Sequence, residues 1–219
     1  MIDIHTHIIP SVDDGSSSLD ESLKIIELLK AEGVDEVVCT SHQDMHHINK
    51  ELLEEGFHLL KHNTSMKLYL GSEIFYYDAM IKDLNEGRLL SINNSKYILV
   101  EFSFFLETPI EDIIFDLVIA GYKPIIAHIE RYEYLSFKDY DKIRNAGALI
   151  QVNSRSFERK EYKKIIKYLL KNDLIDFIAS DCHNQSSRAP SFAAAKKYIM
   201  KKYKDRYSKY FENNFKFGD

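Results

Sequence analysis

Residues 1–15 read MIDIHTHIIPSVDDG and place two histidines, His5 and His7, one residue apart near the start of the chain. The segment IDIHTHI is typical of a β-strand, and Pro10 follows where the strand pattern stops. Since side chains alternate between the two faces of a strand, Asp3, His5 and His7 are expected on the same face. Two histidines on one strand face can converge on one metal ion, although a His-x-His pair alone is a weak signal.

Short β-branched segments alternate with helical patterns along the rest of the chain. The predicted strands are IDIHTHI, EVVCTSH, KLYLGSE, YILVEF, KPIIAH, ALIQVN and DFIASD. The predicted helices cover residues 19–32, 50–62, 79–85, 110–120, a stretch that ends at Gly147, and 160–171. Repeated strand–helix units with apolar strands predict an α/β fold, in which helices cover a parallel sheet. Closure of the seven strands into a barrel would explain why no strand has an amphipathic edge pattern.

The composition is that of an ordinary globular protein. Of 219 residues, 45% are hydrophobic and 29% are charged, which argues against a disordered, coiled-coil or membrane protein. No apolar segment approaches the roughly 18 residues that a membrane-spanning helix needs, and the first residues lack the pattern of a signal peptide. The net charge of −5 gives no basis for nonspecific binding to nucleic acid. We therefore expect one cytoplasmic domain over residues 1–219, with no nucleic-acid partner and no membrane insertion.

Each predicted strand delivers a polar side chain at its C-terminal end. These residues are His5, His7, His42, Glu73, Glu101, His128, Asn153, Asp181 and His183. In a parallel barrel the C-terminal strand ends meet at one face, where such barrels carry their active sites. Each residue could instead be hydrogen-bonded separately, but burying several ionisable groups together without a counter-ion costs several kcal/mol for each group. We therefore predict a metal site at this face.

The predicted ligands are too many for one tetrahedral zinc ion. Asp14, in the loop after the first strand, joins the histidines, the two glutamates and Asp181 as a candidate ligand. Mixed imidazole and carboxylate ligands suit manganese, iron or zinc, and bridging carboxylates suit ions about 3.5–4 Å apart. The sequence therefore predicts a cluster of two or three divalent metal ions.

Several motifs in the chain resemble those of one known family. The motifs are DIHTHIIPSVDDG, TSH ending at His42, GSEI with Glu73, VEFS with Glu101, AHIERY with His128 and Arg131, QVN with Asn153, and SDCHN with Asp181 and His183. In this order they are similar to motifs of the polymerase and histidinol phosphatase (PHP) superfamily, and more narrowly of its bacterial capsule-type protein-tyrosine phosphatases. HIERY and the DDG loop are the more specific motifs. The chain departs from the family pattern at Cys182 and in its end, FENNFKFGD, which lacks the usual Asn-Pro.

The resemblance implies a distorted seven-stranded (β/α) barrel of the PHP type with a trinuclear metal site, usually described with manganese. It implies a protein-tyrosine phosphatase whose substrate is phosphotyrosine on a bacterial tyrosine kinase that controls capsular or exopolysaccharide synthesis. By the family's assignment, one metal ion would be bound by His5, His7, Glu73 and Asp181, a second by Glu73, Glu101 and His128, and a third by Asp14, His42 and His183.

Arg131 and Arg188 are the candidate phosphate-binding residues. Arg131 lies three residues after His128 and Arg188 five residues after His183, so both start from loops on the predicted metal face. A guanidinium group matches two phosphate oxygens at once, although each arginine could instead form a surface ion pair. A metal ion lowers the pKa of a bound water from about 15.7 toward 7. The sequence therefore predicts hydrolysis of a phosphate ester by metal-activated hydroxide, without a protein nucleophile.

Three other functions remain compatible with the sequence. Residues 182–188 read CHNQSSR, which has the spacing of cysteine-dependent tyrosine phosphatases, with Cys182 as nucleophile and Arg188 as phosphate ligand. The phosphate loop of those enzymes needs glycine where the chain turns tightly, and this segment has none. A PHP phosphoesterase for a small molecule such as histidinol phosphate is the second alternative, since metal ligands alone do not select the leaving group. The third is a metal-binding regulator without catalysis.

Overall fold

Parallel strands alternate with helices in the described residues of this computed structural model, which are 1–47, 49–212 and 215–217. The strands are β1 (Ile2–Thr6), β2 (Glu36–Cys39), β3 (His42–Gln43), β4 (Lys67–Leu70), β5 (Glu73–Phe75), β6 (Tyr97–Glu101), β7 (Lys123–Ile126), β8 (Leu149–Asn153) and β9 (Phe177–Ala179). The α-helices are α1 (Leu19–Ala31), α2 (Lys50–His62), α3 (Met80–Asn85), α4 (Ile110–Ile119), α5 (Phe137–Asn145), α6 (Lys163–Lys171), α7 (Ala193–Lys202) and α8 (Tyr207–Phe211). None of these helices combines the length and the apolar character needed to cross a membrane.

The six predicted helices form within three residues of their predicted bounds. α6 begins at Lys163 rather than at residue 160, because a 3-10 turn, Ser154–Glu158, and a short loop come first. Gly33, with φ 82°, and Gly147, with φ 107°, follow the ends of α1 and α5. A residue in this left-handed conformation ends an α-helix, which explains why the glycines marked the helix ends in the sequence.

Two of the seven predicted strands are interrupted in the structure. The second strand breaks at Thr40 and Ser41, between β2 and β3, and the third breaks at Gly71 and Ser72, between β4 and β5. The chain stays in register across the breaks, since the backbone N–H of Gly71 donates a 3.0 Å hydrogen bond to the carbonyl oxygen of Cys39. The seven predicted strands are therefore present as nine strands among the described residues.

All strand pairs are parallel, and they form two sheets with the orders β1-β2-β4 and β3-β5-β6-β7-β8-β9. β1 also meets the segment after β9, through one bridge between Thr6 and Cys182. Beside it, the N–H of His7 donates to the carbonyl oxygen of Cys182, and the N–H of Asp181 donates to that of His5, each at 2.9 Å. The predicted α/β fold with parallel strands is confirmed. The pairing among the described residues is not one closed sheet, so a closed seven-stranded barrel is not found there.

The strands are buried on both faces, as their apolar composition predicts. In β6, Leu99 belongs to an inner apolar cluster with Ile4 and Ile125, whereas its neighbours Ile98 and Val100 belong to a larger cluster that includes the helices. Alternate residues of one strand therefore fill two different apolar layers. Most polar side chains of the strands lie at the strand ends, whereas Asp3 and Gln151 are buried within β1 and β8.

Aromatic residues of the C-terminal segment 215–217 cover the N-terminal ends of the strands. The ring of Phe215 lies 4.9 Å from that of Phe177 and 5.3 Å from that of Tyr97, and the ring of Phe217 lies 5.6 Å from that of Tyr97. Phe177 begins β9 and Tyr97 begins β6. Residues 213, 214, 218 and 219 of the segment FENNFKFGD lie outside the described residues. The described aromatic residues therefore pack at the end opposite the polar strand ends.

Asp176 lies just before β9, on the same N-terminal side of the sheet. Removing its carboxylate should destabilise the fold. Its oxygens accept hydrogen bonds from both terminal nitrogens of Arg144, at 2.5 and 3.1 Å, and from the N–H of Ile150 at 2.8 Å. Asp176→Ala leaves the Arg144 guanidinium and the Ile150 N–H without these hydrogen-bond acceptors. We therefore expect the free energy of unfolding to fall by about 2 kcal/mol. Urea denaturation measures the change, with the exposed Asp205→Ala as the control. A loss no larger than that of the control would contradict this role for Asp176.

Candidate metal centre

The C-terminal strand ends bring the nine predicted metal ligands together. His5, His7 and Asp14 come from β1 and the loop after it, His42, Glu73 and Glu101 from β3, β5 and β6, and His128, Asp181 and His183 from the loops after β7 and β9. The ligating atoms form four sets, within each of which all atoms lie within 4.8 Å of one another: His7, Asp14, His42 and His183; His5, Glu73 and His128; His5, His7 and Asp181; and His42, Glu73 and Glu101. The sets share members, so the nine residues form one connected group, the ligand cluster.

Glu73 lies at the middle of the ligand cluster. Its Oε2 is 3.1 Å from Nε2 of His5, 3.2 Å from Nε2 of His7 and 3.2 Å from Nδ1 of His42. Its Oε1 is 3.0 Å from Nε2 of His128, and the side chain is 1% exposed. A buried carboxylate that contacts four imidazoles can bridge two metal ions through its two oxygens.

The donor atoms of the ligand cluster fit divalent metal ions. Nε2 of His5 and Nε2 of His7 lie 3.1 Å apart, and each is 3.6 Å from Oδ1 of Asp181. Two imidazole nitrogens at this distance repel if both present lone pairs, unless a proton or a cation lies between them. Nδ1 of His128 is buried and forms no hydrogen bond with the described residues. Mixed imidazole and carboxylate donors are those that manganese, iron and zinc accept.

The charges of the ligand cluster depend on one another. Burial raises the pKa of Glu101 to about 8, and the nearby charge of Glu73 adds to the rise. Burial also opposes ionisation of Glu73 and Asp181, but positive histidines, led by His5, hold the pKa of Glu73 well below its usual range and that of Asp181 at about 2. The ionised state of Glu73 and Asp181 therefore depends on positive charge at the centre, which a divalent cation would also supply.

Asp13, which was not predicted as a functional residue, orients two of the ligands. Its Oδ2 accepts hydrogen bonds from Nδ1 of His7 at 2.9 Å and from the N–H of His42 at 3.1 Å. The Asp13 side chain is 5% exposed, whereas that of Asp14 is 61% exposed. A proton on Nδ1 leaves Nε2 of His7 free to bind a metal. The sequence signal for this role was the pair of adjacent aspartates. Only the folded loop shows that Asp13 is the one that contacts His7.

Gly15 allows the loop after β1 to pack closely against the backbone of His7. A Cβ atom at position 15 would lie 2.2 Å from the carbonyl oxygen of His7, closer than any real contact. The N–H of Gly15 donates a 3.0 Å hydrogen bond to Oδ1 of Asp13. The DDG sequence therefore combines a candidate ligand, Asp14, a carboxylate that contacts His7, and the one residue type that permits the close approach.

Gln151 and Asn153 connect three ligands from one face of β8. Oε1 of Gln151 accepts hydrogen bonds from Nδ1 of His5 at 3.2 Å and from the N–H of His128 at 2.7 Å. Its Nε2 donates to Oδ1 of Asn153 at 2.8 Å, and Nδ2 of Asn153 donates to Oδ2 of Asp181 at 2.9 Å. Gln151 was not predicted; its signal is its spacing of two residues from Asn153, which puts both side chains on the same strand face.

Two residues of the ligand cluster have a left-handed backbone conformation. φ is 31° at His128 and 52° at Asp181. A residue with a side chain adopts such a conformation at a cost of about 1–3 kcal/mol, and it does so where surrounding contacts hold it. The N–H of His128 is held by Gln151 at 2.7 Å, and that of Asp181 by the carbonyl oxygen of His5 at 2.9 Å. The backbone therefore turns sharply at His128 and Asp181, which lie just after β7 and β9.

Arg131 and Arg188 lie on two sides of Asp181 at the edge of the ligand cluster. Nη1 of Arg131 is 3.8 Å from Oδ2 of Asp181, and Nη2 of Arg188 is 3.3 Å from Oδ1. Nη1 of Arg188 also lies 3.2 Å from Oδ2 of Asp14. The guanidinium of Arg131 lies 4.1 Å from the ring centre of Phe104, which was not predicted as a site residue. The structure therefore brings both predicted arginines to the ligand cluster.

Cys182 is placed unfavourably for nucleophilic catalysis. The residue is 0% exposed, and its backbone N–H donates a 3.2 Å hydrogen bond to Oγ of Ser180. Burial raises the pKa of its thiol well above the usual range, and the carboxylate of Asp3 adds to the rise. Since a cysteine nucleophile acts as a thiolate and needs a lowered pKa, the geometry disfavours the cysteine mechanism.

Asp13→Asn should weaken metal binding while the fold is retained. A neutral amide cannot hold Nδ1 of His7 as a carboxylate does, and loss of such an outer partner typically costs about 10- to 100-fold in metal affinity or activity. Calorimetric titration of the metal-free protein with Mn²⁺ measures the change. Asp20→Asn, an exposed carboxylate in α1, is the matched control. Equal affinities in the two variants would rule out an orienting role for Asp13.

The chain matches known proteins over nearly its whole length. Residues 1–216 match a family model described as capsular polysaccharide synthesis, CpsB/CapC. The tyrosine-protein phosphatase CpsB of Streptococcus agalactiae is 34% identical in an alignment 235 positions long, which covers 98% of this chain and 96% of that protein. The tyrosine-protein phosphatase YwqE of Bacillus subtilis is 32% identical in an alignment 202 positions long, which covers 86% of this chain and 79% of that protein.

Solved structures share the fold. A structure from a study of YwqE from Bacillus subtilis and CpsB from Streptococcus pneumoniae, described as unique metal-dependent tyrosine phosphatases, has a TM-score of 0.82 at 30% identity, covering 93% of this chain and 87% of that one. The histidinol phosphate phosphatase of Lactococcus lactis has a TM-score of 0.54 at 14% identity, covering 81% and 83%, and this likeness concerns the fold alone. The predicted resemblance is confirmed, and the chain belongs to the CpsB/CapC family of capsular polysaccharide synthesis proteins.

Proposed function

We propose that this protein is a metal-dependent tyrosine-protein phosphatase that hydrolyses phosphotyrosine in a protein of capsular or exopolysaccharide synthesis. Family membership and the tyrosine-protein phosphatases among its relatives support this activity. The observation that carries the proposal is that Arg131 and Arg188 flank Asp181 at the edge of the ligand cluster. Two guanidinium groups beside metal ligands suit a substrate that carries a phosphate ester.

We propose that the ligand cluster binds two or three manganese ions, with iron or zinc as alternatives. One ion would be held by His5, His7, Glu73 and Asp181, a second by Glu73, Glu101 and His128, and a third by Asp14, His42 and His183. The third set is supported by Oδ1 of Asp14, which lies 3.4 Å from Nε2 of His42 and 3.3 Å from Nε2 of His183. When bound, such ions supply an activated water and neutralise charge that develops on the phosphoryl oxygens.

The residues around the proposed metal sites have distinct tasks. Arg131 and Arg188 bind the phosphoryl oxygens, and Phe104 stacks on the guanidinium of Arg131 at 4.1 Å and so fixes its plane. Asp13 and Gln151 keep the imidazole ligands oriented through their Nδ1 atoms. The leaving group is a phenolate, whose conjugate acid has a pKa of about 10, so it departs more readily than an alkoxide. The reaction therefore makes little demand on a general acid.

We further propose that the chain forms one domain, residues 1–219, with the distorted seven-stranded barrel of the PHP type. Counting β2 with β3, and β4 with β5, gives seven strand segments. The bridge between Thr6 and Cys182, with its neighbouring hydrogen bonds, supports a link from the first segment to the last. The two strand interruptions account for the separation of the pairing into two sheets.

The proposed protein substrate is a bacterial tyrosine kinase that controls capsular or exopolysaccharide synthesis. This partner follows from the family resemblance. The exposed position of Asp14, at 61%, places one side of the ligand cluster within reach of a phosphotyrosine on a protein surface. A location in the cytoplasm stays a prediction, because it depends on where the substrate presents its phosphotyrosine.

The test compares three substrates under saturating manganese: a phosphotyrosine peptide, a phosphoserine peptide and histidinol phosphate. We expect the phosphotyrosine peptide to be hydrolysed fastest, since phenolate is the better leaving group. Activity should be lost after chelation and return when Mn²⁺ is added. Faster turnover of histidinol phosphate would favour a small-molecule phosphoesterase instead. Metal binding without turnover of any of the three would favour a regulator.

A further inference from the structure

A cavity of about 310 Å³ adjoins the ligand cluster and is rich in arginine. Four arginines line it: Arg131, Arg155, Arg159 and Arg188. Asp181 is the one carboxylate among its lining residues in the described ranges, and Arg131 and Arg188 already lie beside that carboxylate. We refer to this feature as the arginine cavity.

Arg155 and Arg159 contribute positive charge that the fold itself does not neutralise. Arg155, in the 3-10 turn after β8, donates hydrogen bonds to the carbonyl oxygens of Ser187 and Ala189. These bonds hold the segment that carries Arg188, and no carboxylate of residues 1–47, 49–212 or 215–217 lies within ion-pair distance of Arg155. Arg159 has Glu161 at 3.5 Å, but the two side chains are 59% and 57% exposed, so the pair is weak.

The charge of the arginine cavity exceeds what one phosphate needs. The four arginines and Asp181 give the lining a net charge of about +3, whereas a phosphotyrosine carries about −1.5 to −2 at pH 7. The excess positive charge belongs to Arg155, in the 3-10 turn Ser154–Glu158, and to Arg159, the residue that follows this turn. A substrate that carries an anionic group close to its phosphotyrosine would place that group beside this charge.

We propose that the arginine cavity binds a carboxylate side chain of the substrate polypeptide next to the phosphotyrosine. The inference rests on the proposed phosphatase function and adds a substrate preference to it. The protein therefore prefers phosphotyrosine flanked by aspartate or glutamate over phosphotyrosine flanked by neutral residues. Arg159 recognises the carboxylate at the rim, while Arg155 holds the loop and adds its charge.

The experiment compares two phosphotyrosine peptides of equal length, one flanked by glutamates and one by glutamines, with the manganese-loaded protein. We expect the glutamate peptide to have a kcat/KM about 3- to 10-fold higher, mainly through KM, as for one charge-assisted contact at a partly exposed site. The preference should shrink as salt is added, because screening weakens the exposed arginine. Arg159→Gln should bring the ratio of the two kcat/KM values close to one. Lys160→Gln, which removes the same charge from a neighbouring exposed residue outside the cavity, should leave the ratio unchanged.

The outcomes separate this inference from the proposed function. Equal kcat/KM for the two peptides would overturn the inference while the phosphatase activity stands. Equal loss of preference in the Arg159→Gln and Lys160→Gln variants would also overturn it, since general surface charge would then be the cause. Failure to hydrolyse even the glutamine peptide under any metal would instead contradict the proposed function. Circular dichroism of the variants checks that each one is folded.

Discussion

Glu73→Gln should lower kcat on a phosphotyrosine peptide by about a thousandfold or more, because Glu73 is the proposed shared ligand at the middle of the cluster. Its two oxygens contact imidazole nitrogens of four histidines at 3.0–3.2 Å. An amide of the same shape carries no charge and binds divalent ions poorly. The variant should therefore bind fewer metal ions per chain, which elemental analysis measures beside the steady-state rate. His5→Ala and Asp181→Ala should show losses of the same kind.

Glu36→Gln is the matched control for this prediction. Glu36 is also a poorly exposed glutamate of a strand, at 9%, but it lies in β2 and accepts a hydrogen bond from Tyr69. The same chemical change there should leave metal content and kcat close to those of the unmodified protein. Near-normal activity of Glu73→Gln across a range of manganese concentrations would show that the metal ligands are assigned wrongly.

Arg131→Lys and Arg188→Lys should each lower kcat/KM roughly 10- to 150-fold, the loss of one charged hydrogen bond worth about 1.5–3 kcal/mol. An ammonium group keeps the positive charge but cannot bind two phosphoryl oxygens in one plane. Arg131 also loses its stacking on Phe104, 4.1 Å away. Rates on one phosphotyrosine peptide with saturating manganese measure both effects.

Cys182→Ser separates the metal mechanism from the cysteine mechanism in the same assay. The thiol is fully buried and its pKa is raised well above the usual range by that burial, so serine there should change the rate little. A cysteine mechanism predicts the reverse ranking, since the covalent step would be lost whatever metal is present. An inactive Cys182→Ser variant that still binds its metals would refute the mechanism proposed here. Unaffected lysine variants would place the phosphate site elsewhere.

The sequence predicts the parallel α/β fold and the gathering of ligands because both depend on local patterns. A strand period of two places His5 and His7 together, and parallel strands bring their C-terminal ends to one face. Glu73, Glu101 and Asp181 could be predicted as candidate ligands from their positions at the ends of the predicted strands alone. The strand interruptions were not predictable in this way, since Gly71 and Ser72 fit a continuous strand in sequence, whereas in the structure they lie between β4 and β5.

The orienting residues could not be identified from the sequence for a different physical reason. Asp13 and Asp14 are chemically identical, and only the folded loop makes one of them 5% exposed and the other 61% exposed. Gln151 contacts His5, in β1, and His128, in the loop after β7, so its role depends on which strands lie beside β8. The contacts of Gln151 with His5 and His128 join residues more than 20 positions apart, which local spacing does not encode.

At His128 and Asp181, the left-handed backbone favours one residue type for stability and another for the proposed activity. Glycine would adopt φ values of 31° and 52° without strain, so the most stable sequence for this backbone is not the one that carries ligands. A screen for heat resistance alone would therefore select replacements at these two positions and discard the proposed metal site. A more stable variant of the enzyme must therefore keep both residues and gain its stability from substitutions elsewhere, for example on the exposed faces of the helices.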